Sequence, residues 1–218
     1  MFNISQELLD HVSVDENFLK TTVTGDKTWV YGYNVETKAQ LSQWVGQRSP
    51  RLKKAGMSQS NMKVMLVVFF DWHGVIQYKF VPRGQTVNKE FYVAVLKRLR
   101  KAVRRKRPQL WTNQSWALYH DNALAHSSFL VRNFLAKNET TVVLQPPYSP
   151  DMTPVDFFLF PNLKSTLKGR CFDTFDKIQK NSTKELFAIL KEAFQSWQKR
   201  WERCVASEGN YFEGNKLE

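Results

Sequence analysis

A chain of 218 residues with 42% apolar content, including 16 Phe, 7 Trp and 7 Tyr, is too hydrophobic to be disordered and long enough for one sizeable core. Its longest apolar runs, such as Val64–Phe70, fall far short of a membrane span, and the N-terminus carries no basic-then-apolar secretory pattern. A formal net charge of +12 argues for a polyanionic partner, because clustered Lys and Arg gain by neutralising phosphates.

In chain order, residues 1–20 set Ile4, Leu8, Leu9 and Val12 at helical spacing, with Ser5 as a cap candidate. Thr21–Asn34 is rich in Thr, Val, Trp and Tyr and reads as the first strand. From 32 to 59 the periodicity lapses into an insertion with one short strand-like piece at 40–45. Its Arg48, Arg51, Lys53 and Lys54 suit contact with DNA or with a second subunit. Met62–Phe70 is a continuous apolar run, as in a strand buried on both faces. Residues 71–74 then turn the chain into an antiparallel return strand, Val75–Val81.

Asn88–Arg107 predicts a helix with Phe91, Tyr92, Val95, Leu96, Leu99 and Val103 inward and Pro108 as its stop. Between Lys97 and Arg107 lie eight cations, Arg100, Arg104, Arg105 and Arg107 among them, and no acid. Such a density repels itself unless phosphates face it. A strand over 116–121, a helix over 127–137 with Leu130, Val131, Phe134 and Leu135 inward, and a strand over 141–144 follow. A proline-rich turn leads to a helix over 155–168, with a kink expected at Pro161. Further helices over 176–206 carry an apolar stripe of Phe194, Trp197, Trp201 and Val205. Antiparallel strands first and strand–helix alternation after imply a mixed α/β sheet with helices on both faces, the layout of the ribonuclease H-like fold.

Three acids sit where this layout can bring them together: Asp26 in the first strand, Asp121 at the end of 116–121, and Asp156 after a further 34 residues, just inside a helix. Carboxylates converging from strand and helix ends make an oxygen-only site for a divalent cation, and phosphodiester cleavage by two such ions uses that arrangement. Each acid also has a plainer role. Asp26 and Asp121 fit turns, and Asp156 fits the third position of a helix capped by Thr153 with Pro154 at its start. His120 and His126 lack a third nitrogen or sulfur ligand for zinc, so with Asn122 they read as supporting groups. Asp71 and Asp151 read as turn residues, and Cys171 and Cys204 as free thiols of a reducing compartment.

Thr24-Gly25-Asp26-x-x-Trp29, His120-Asp121-Asn122-Ala123-x-x-His126 and Pro146-Pro147-Tyr148-Ser149-Pro150-Asp151-x-x-Pro154-x-Asp156, in this order and with 34 residues between the last two acids, resemble the mariner family of DNA transposases. The resemblance runs through residues 197–204 and 209–214 near the end of the chain. It implies a single ribonuclease H-like catalytic domain over 1–218, in which Asp26, Asp121 and Asp156 bind two Mg²⁺ or Mn²⁺ ions. The implied activity is cleavage at transposon ends and joining of the freed 3′-hydroxyl to target DNA. The resemblance further implies a clamp loop at 32–59 reaching the partner of a homodimer, C-terminal helices over 176–218, and a nuclear location with no membrane contact.

The helix-turn-helix region with which the family reads inverted repeats has no counterpart in this chain. Weak, salt-sensitive, largely sequence-independent binding to double-stranded DNA is therefore expected. Lys27 stands where relatives often carry an acid, and Leu124 where they often carry Pro or Arg. Lys27 beside Asp26 is expected to weaken metal affinity by charge competition. Two other readings stay open: a host-adopted relic that binds DNA or protein without catalysis, and a ribonuclease acting on RNA–DNA hybrids.

Overall fold

A computed structural model of the chain describes residues 2–35, 57–167, 170, 172, 174–187 and 193–210, the side chains of 33–35 and 57–61 excepted. Arg48, Arg51, Lys53, Lys54 and the expected short strand at 40–45 lie outside the described residues.

The sheet is built from β1 (Thr22–Val35), β2 (Met57–Asp71), β3 (Gly74–Val81), β4 (Ala117–Tyr119) and β5 (Thr141–Val143), in the order β3-β2-β1-β4-β5. β1, β2 and β3 pair antiparallel, while β4 and β5 run parallel to β1. Pairing of β1 with β2 continues to Val35↔Met57, so the insertion expected from Gly32 begins later, beyond a two-stranded stem.

Both faces of the sheet are covered, which is why β2 reads as an unbroken apolar run. On one face Val23, Val67, Phe69, Ile76 and Leu118 pack under α3 (Lys89–Lys106), together with Val131 and Leu135 of a later helix. On the other face Val68, Phe70, Val75 and Tyr119 pack against α1 (Phe2–Val14) and the C-terminal helix. A short α2 (Phe18–Thr21) leads into β1. Ser5 lies buried inside α1, which starts at Phe2, and is therefore not its cap.

Asn88 caps α3 by accepting the Phe91 N–H. Pro108 ends α3 as expected but also opens a further short helix, α4 (Pro108–Thr112), where a proline at the first position costs no hydrogen bond. α5 (Phe129–Lys137) is capped by Ser128; Val131 and Leu135 are inward as predicted, but Leu130 faces solvent. After a 3₁₀ turn (Pro150–Met152), the chain forms a π-helical turn over Val155–Leu159 before α6 (Phe160–Leu167), α7 (Phe175–Leu186) and α8 (Ala193–Ala206). The irregularity expected at Pro161 thus lies in the turn before it, where Pro161 has no N–H to close an ordinary helical bond to the 157 carbonyl. The inward stripe of α8 is Phe194, Trp197, Trp201 and Cys204, with Cys204 in the place expected for Val205.

Candidate active site

Asp26 lies in the middle of the sheet, on β1 opposite Val68, so its side chain shares the face that α8 and the π-helical turn cover. Gly25 before it has no room for a side chain, because a Cβ there would press into the Phe69 ring and the Val68 carbonyl. Asp121 follows β4 by two residues. Asp26, Asp121 and His126 bring one ligand atom each within 4.8 Å of one another. Asp156 stands outside this tightest group, yet it lines one cleft of ≈ 490 Å³ with Asp121, and both other acids act on its charge.

The acids are unequal. Burial and the neighbouring Asp26 and Asp121 charges push Asp156 up to about 7. Burial also pushes Asp26 up, against the pull of Lys27. Burial acts the same way on Asp121, but the hydrogen bond and charge of His126, with Lys27, outweigh it and hold this carboxyl below its usual range. A cation already sits among them. The Lys27 ammonium is 3.1 Å from Asp26 Oδ1 and 3.5 Å from Asp121 Oδ2.

Asp121 rests on a stack of rings. His126 Nδ1 bonds the Asp121 carboxylate, and its ring lies against Tyr92 with centroids 3.7 Å apart. The Tyr92 hydroxyl is in turn hydrogen-bonded to His120 Nδ1 at 2.8 Å. Burial and the nearby His126 push His120 down to about 4, so it is neutral at pH 7. Helical spacing put Tyr92 in the core correctly, but nothing in the sequence pairs its hydroxyl with β4.

A second network ties the Asp121 segment to the Asp156 segment. Asn122 Nδ2 donates to the Gln145 carbonyl at 2.7 Å, and Gln145 Nε2 donates to Thr153 Oγ1 at 2.6 Å. Thr153 therefore does not cap a helix with its hydroxyl, and Asp156 sits in the first turn of the π-helical segment instead of an α-helix. Trp197 Nε1 and the Tyr119 hydroxyl both donate to the Met152 carbonyl, at 2.7 and 3.2 Å. The α8 stripe thus positions the approach to Asp156 besides filling the core. Tyr148, in the left-handed region at φ 54°, stands fully exposed on the rim of the cleft.

The basic residues of α3 do not form one surface. Arg107 makes a buried pair with Asp71 (2.6 Å and 2.8 Å), and Arg100 bonds the Asn138 carbonyl and Thr140 Oγ1 and lies over Trp111. Arg104 and Arg105 are exposed. Asp71 accepts the His73 N–H as a turn acid does, so the sequence reading holds but omits its larger role.

Residues 34–113 match the model of the transposase family described as a partial DDE domain. The chain is 34% identical to the Mariner Mos1 transposase of Drosophila mauritiana over 91% of its own length and 58% of that protein's. The solved Mos1 transposase catalytic domain with Raltegravir and Mn superposes with a TM-score of 0.78 at 31% identity, covering 97% of this chain and 94% of that one. The chain belongs to the mariner transposase family. A pre-cleavage Mos1 transpososome matches with a TM-score of 0.83 at 33% identity, over 97% of this chain and 62% of that chain. The chain thus spans about three fifths of the Mos1 transposase and of the transpososome chain it matches. Its sheet, with helices on both faces, is the ribonuclease H-like fold of that catalytic domain.

Proposed function

We propose that this chain is the catalytic domain of a mariner-like transposase, cleaving DNA strands at transposon ends and joining the 3′-hydroxyl to target DNA with divalent metal. The observation that supports this reading is the nearness of three acids from separate elements: Asp26 and Asp121 share contact with the Lys27 ammonium, and Asp121 and Asp156 line one cleft. The donor set fits the metal. Carboxylate oxygens with one open side suit Mg²⁺ or Mn²⁺, which keep several waters, and the Mos1 catalytic domain was solved with Mn. When bound, a pair of such ions would activate the attacking oxygen and stabilise the leaving one.

The protein's own groups do the rest. Asp26, Asp121 and Asp156 would hold the two ions, His126 fixes the Asp121 carboxylate, and the Asn122–Gln145–Thr153 chain sets the spacing of Asp121 and Asp156. In this proposal residues 1–218 form one catalytic domain with 32–59 as its clamp loop and 176–218 as C-terminal helices. Its partners are double-stranded DNA and a second copy of the chain, and its place of action is the nucleus. Among the described residues no helix is long and apolar enough to cross a membrane.

A second reading, a relic that binds DNA without cutting it, would follow if the Lys27 ammonium outcompetes a metal ion for Asp26 and Asp121. Nicking of supercoiled plasmid with Mn²⁺ or Mg²⁺ separates the two. Metal-dependent nicking that disappears in Asp121→Ala and in Asp156→Ala is the expected result. Absence of both nicking and calorimetric Mn²⁺ binding would overturn the catalytic reading in favour of the relic.

A further inference from the structure

We propose that the groove between β3 and α3 is a second binding site for the phosphate backbone of duplex DNA, apart from the acid cluster. The groove encloses ≈ 480 Å³ along the free edge of the sheet, where β3 has no outer neighbour among the described strands. Five cations line it (Lys79, Arg98, Lys101, Arg105 and Lys106) and no acid does.

Helix geometry explains how it is filled. Arg98, Lys101 and Arg105 are spaced i, i+3 and i+7, which puts them on one stripe of α3. Arg100 lies on the opposite flank, toward Asn138 and Thr140. Within the groove Lys106 Nζ donates to the Val75 carbonyl at 3.0 Å, and the Lys79 ammonium lies 5.4 Å from the centre of the Phe91 ring. Arg98, Lys101 and Arg105 have no hydrogen-bond or ion-pair partner among the described residues and are all exposed. Burial and the charge of Arg98 depress the ammonium of Lys79, as expected where positive charge is gathered without a counter-ion.

A polyanion is the partner that relieves this repulsion. Seven residues of helix span about 10 Å, close to three steps along one strand at about 3.4 Å of duplex axis per step. The groove also faces away from the acids. Tyr78 is in register with Val68 and Asp26, two strands or about 10 Å away. Asp26 points to the α8 face of the sheet, while Arg98, Lys101 and Arg105 lie on the α3 side. Phosphates held in the groove would therefore lie on the side of the sheet away from Asp26.

The inference rests on the reading of this chain as a DNA-acting protein, but its test needs no cleavage. Fluorescence anisotropy of a short labelled duplex, titrated with the full chain across a NaCl series in chelator, gives the slope of log Kd against log salt. Each phosphate contact contributes about 0.9 to that slope, so Arg98→Ala/Lys101→Ala/Arg105→Ala is expected to make it shallower by about 2.7. Lys101→Gln and Arg105→Gln alone are each expected to lower it by about 0.9, which keeps the test sharp if the triple variant folds poorly. Arg100→Ala should leave the slope unchanged. A triple variant that is folded and keeps the parental slope overturns the groove. Absence of both metal-dependent nicking and Mn²⁺ binding in the parent chain, with the slope change intact, would instead overturn the catalytic reading and leave the groove standing.

Discussion

Replacing Lys27 by methionine removes one charge from the acid cluster and keeps the aliphatic stem. The ammonium sits 3.1 Å from Asp26 Oδ1 and 3.5 Å from Asp121 Oδ2, two carboxylates that would hold a metal ion. A divalent ion must displace it. Opposite charges about 4 Å apart attract by ~4 kcal/mol at an effective dielectric of about 20, but lost hydration and side-chain entropy offset most of this. With the Lys27 and Asp121 side chains 28% and 27% exposed, each pair is held to about 1 kcal/mol net. Two pairs make ~2 kcal/mol, or roughly 30-fold in metal affinity. Calorimetric titration of Lys27→Met with Mn²⁺ is therefore expected to give a Kd about 30-fold tighter than the parent, with Lys27→Glu tighter still. Higher salt should narrow the difference, because the contacts are partly open to solvent. An unchanged or weaker Kd in Lys27→Met would refute the reasoning and make Lys27 an organiser of the acids instead of their competitor.

Asp156 carries the pH signal. Its carboxyl titrates near 7 in the folded protein against an ordinary 3.8, so the native state holds this proton more tightly than the unfolded chain does. The stability it contributes is complete below about pH 4 and is lost as the pH climbs to about 7. Asp121, shifted the opposite way, has an effect confined to more acid conditions and is common to both proteins compared. Metal-free Asp156→Asn should therefore melt above the parent at pH 8 and level with it at pH 4 by circular dichroism; a parent that melts higher at pH 8 contradicts the sign. Gly25→Ala would drive a methyl group into the Phe69 ring and the Val68 carbonyl, and a backbone oxygen cannot swing aside. Overpacking of this kind costs about 1–3 kcal/mol, and the upper end is expected in urea denaturation. A loss well under 1 kcal/mol would mean that β1 and β2 separate easily beside Asp26.

The succession of strands along the chain and the acids they carry were legible in the sequence because the signals that fix them are local. An apolar run marks β2, alternation marks β3, and the spacing of the acids survives any detail of how the intervening helix packs. Readings that fell short depended on polar partners outside the local pattern. The Thr153-Pro154-Val155-Asp156 pattern promises a cap, but Gln145 takes the threonine hydroxyl and the helix opens with a π turn. The cations of α3 were countable, yet their directions were set by Asp71 on β2 and by the 138–140 loop, each more than thirty residues away. Tyr92 was placed inward by periodicity alone, while its bond to His120 required β4 beside α3. Two of these departures, at Thr153 and at Tyr92, adjoin the acids. A fold following only local preference would have given Asp156 an ordinary helix and Tyr92 an apolar neighbour. Local rules yielding to polar partners from other elements beside the carboxylates is the pattern expected of a functional site, where a sequence departs from its own propensities.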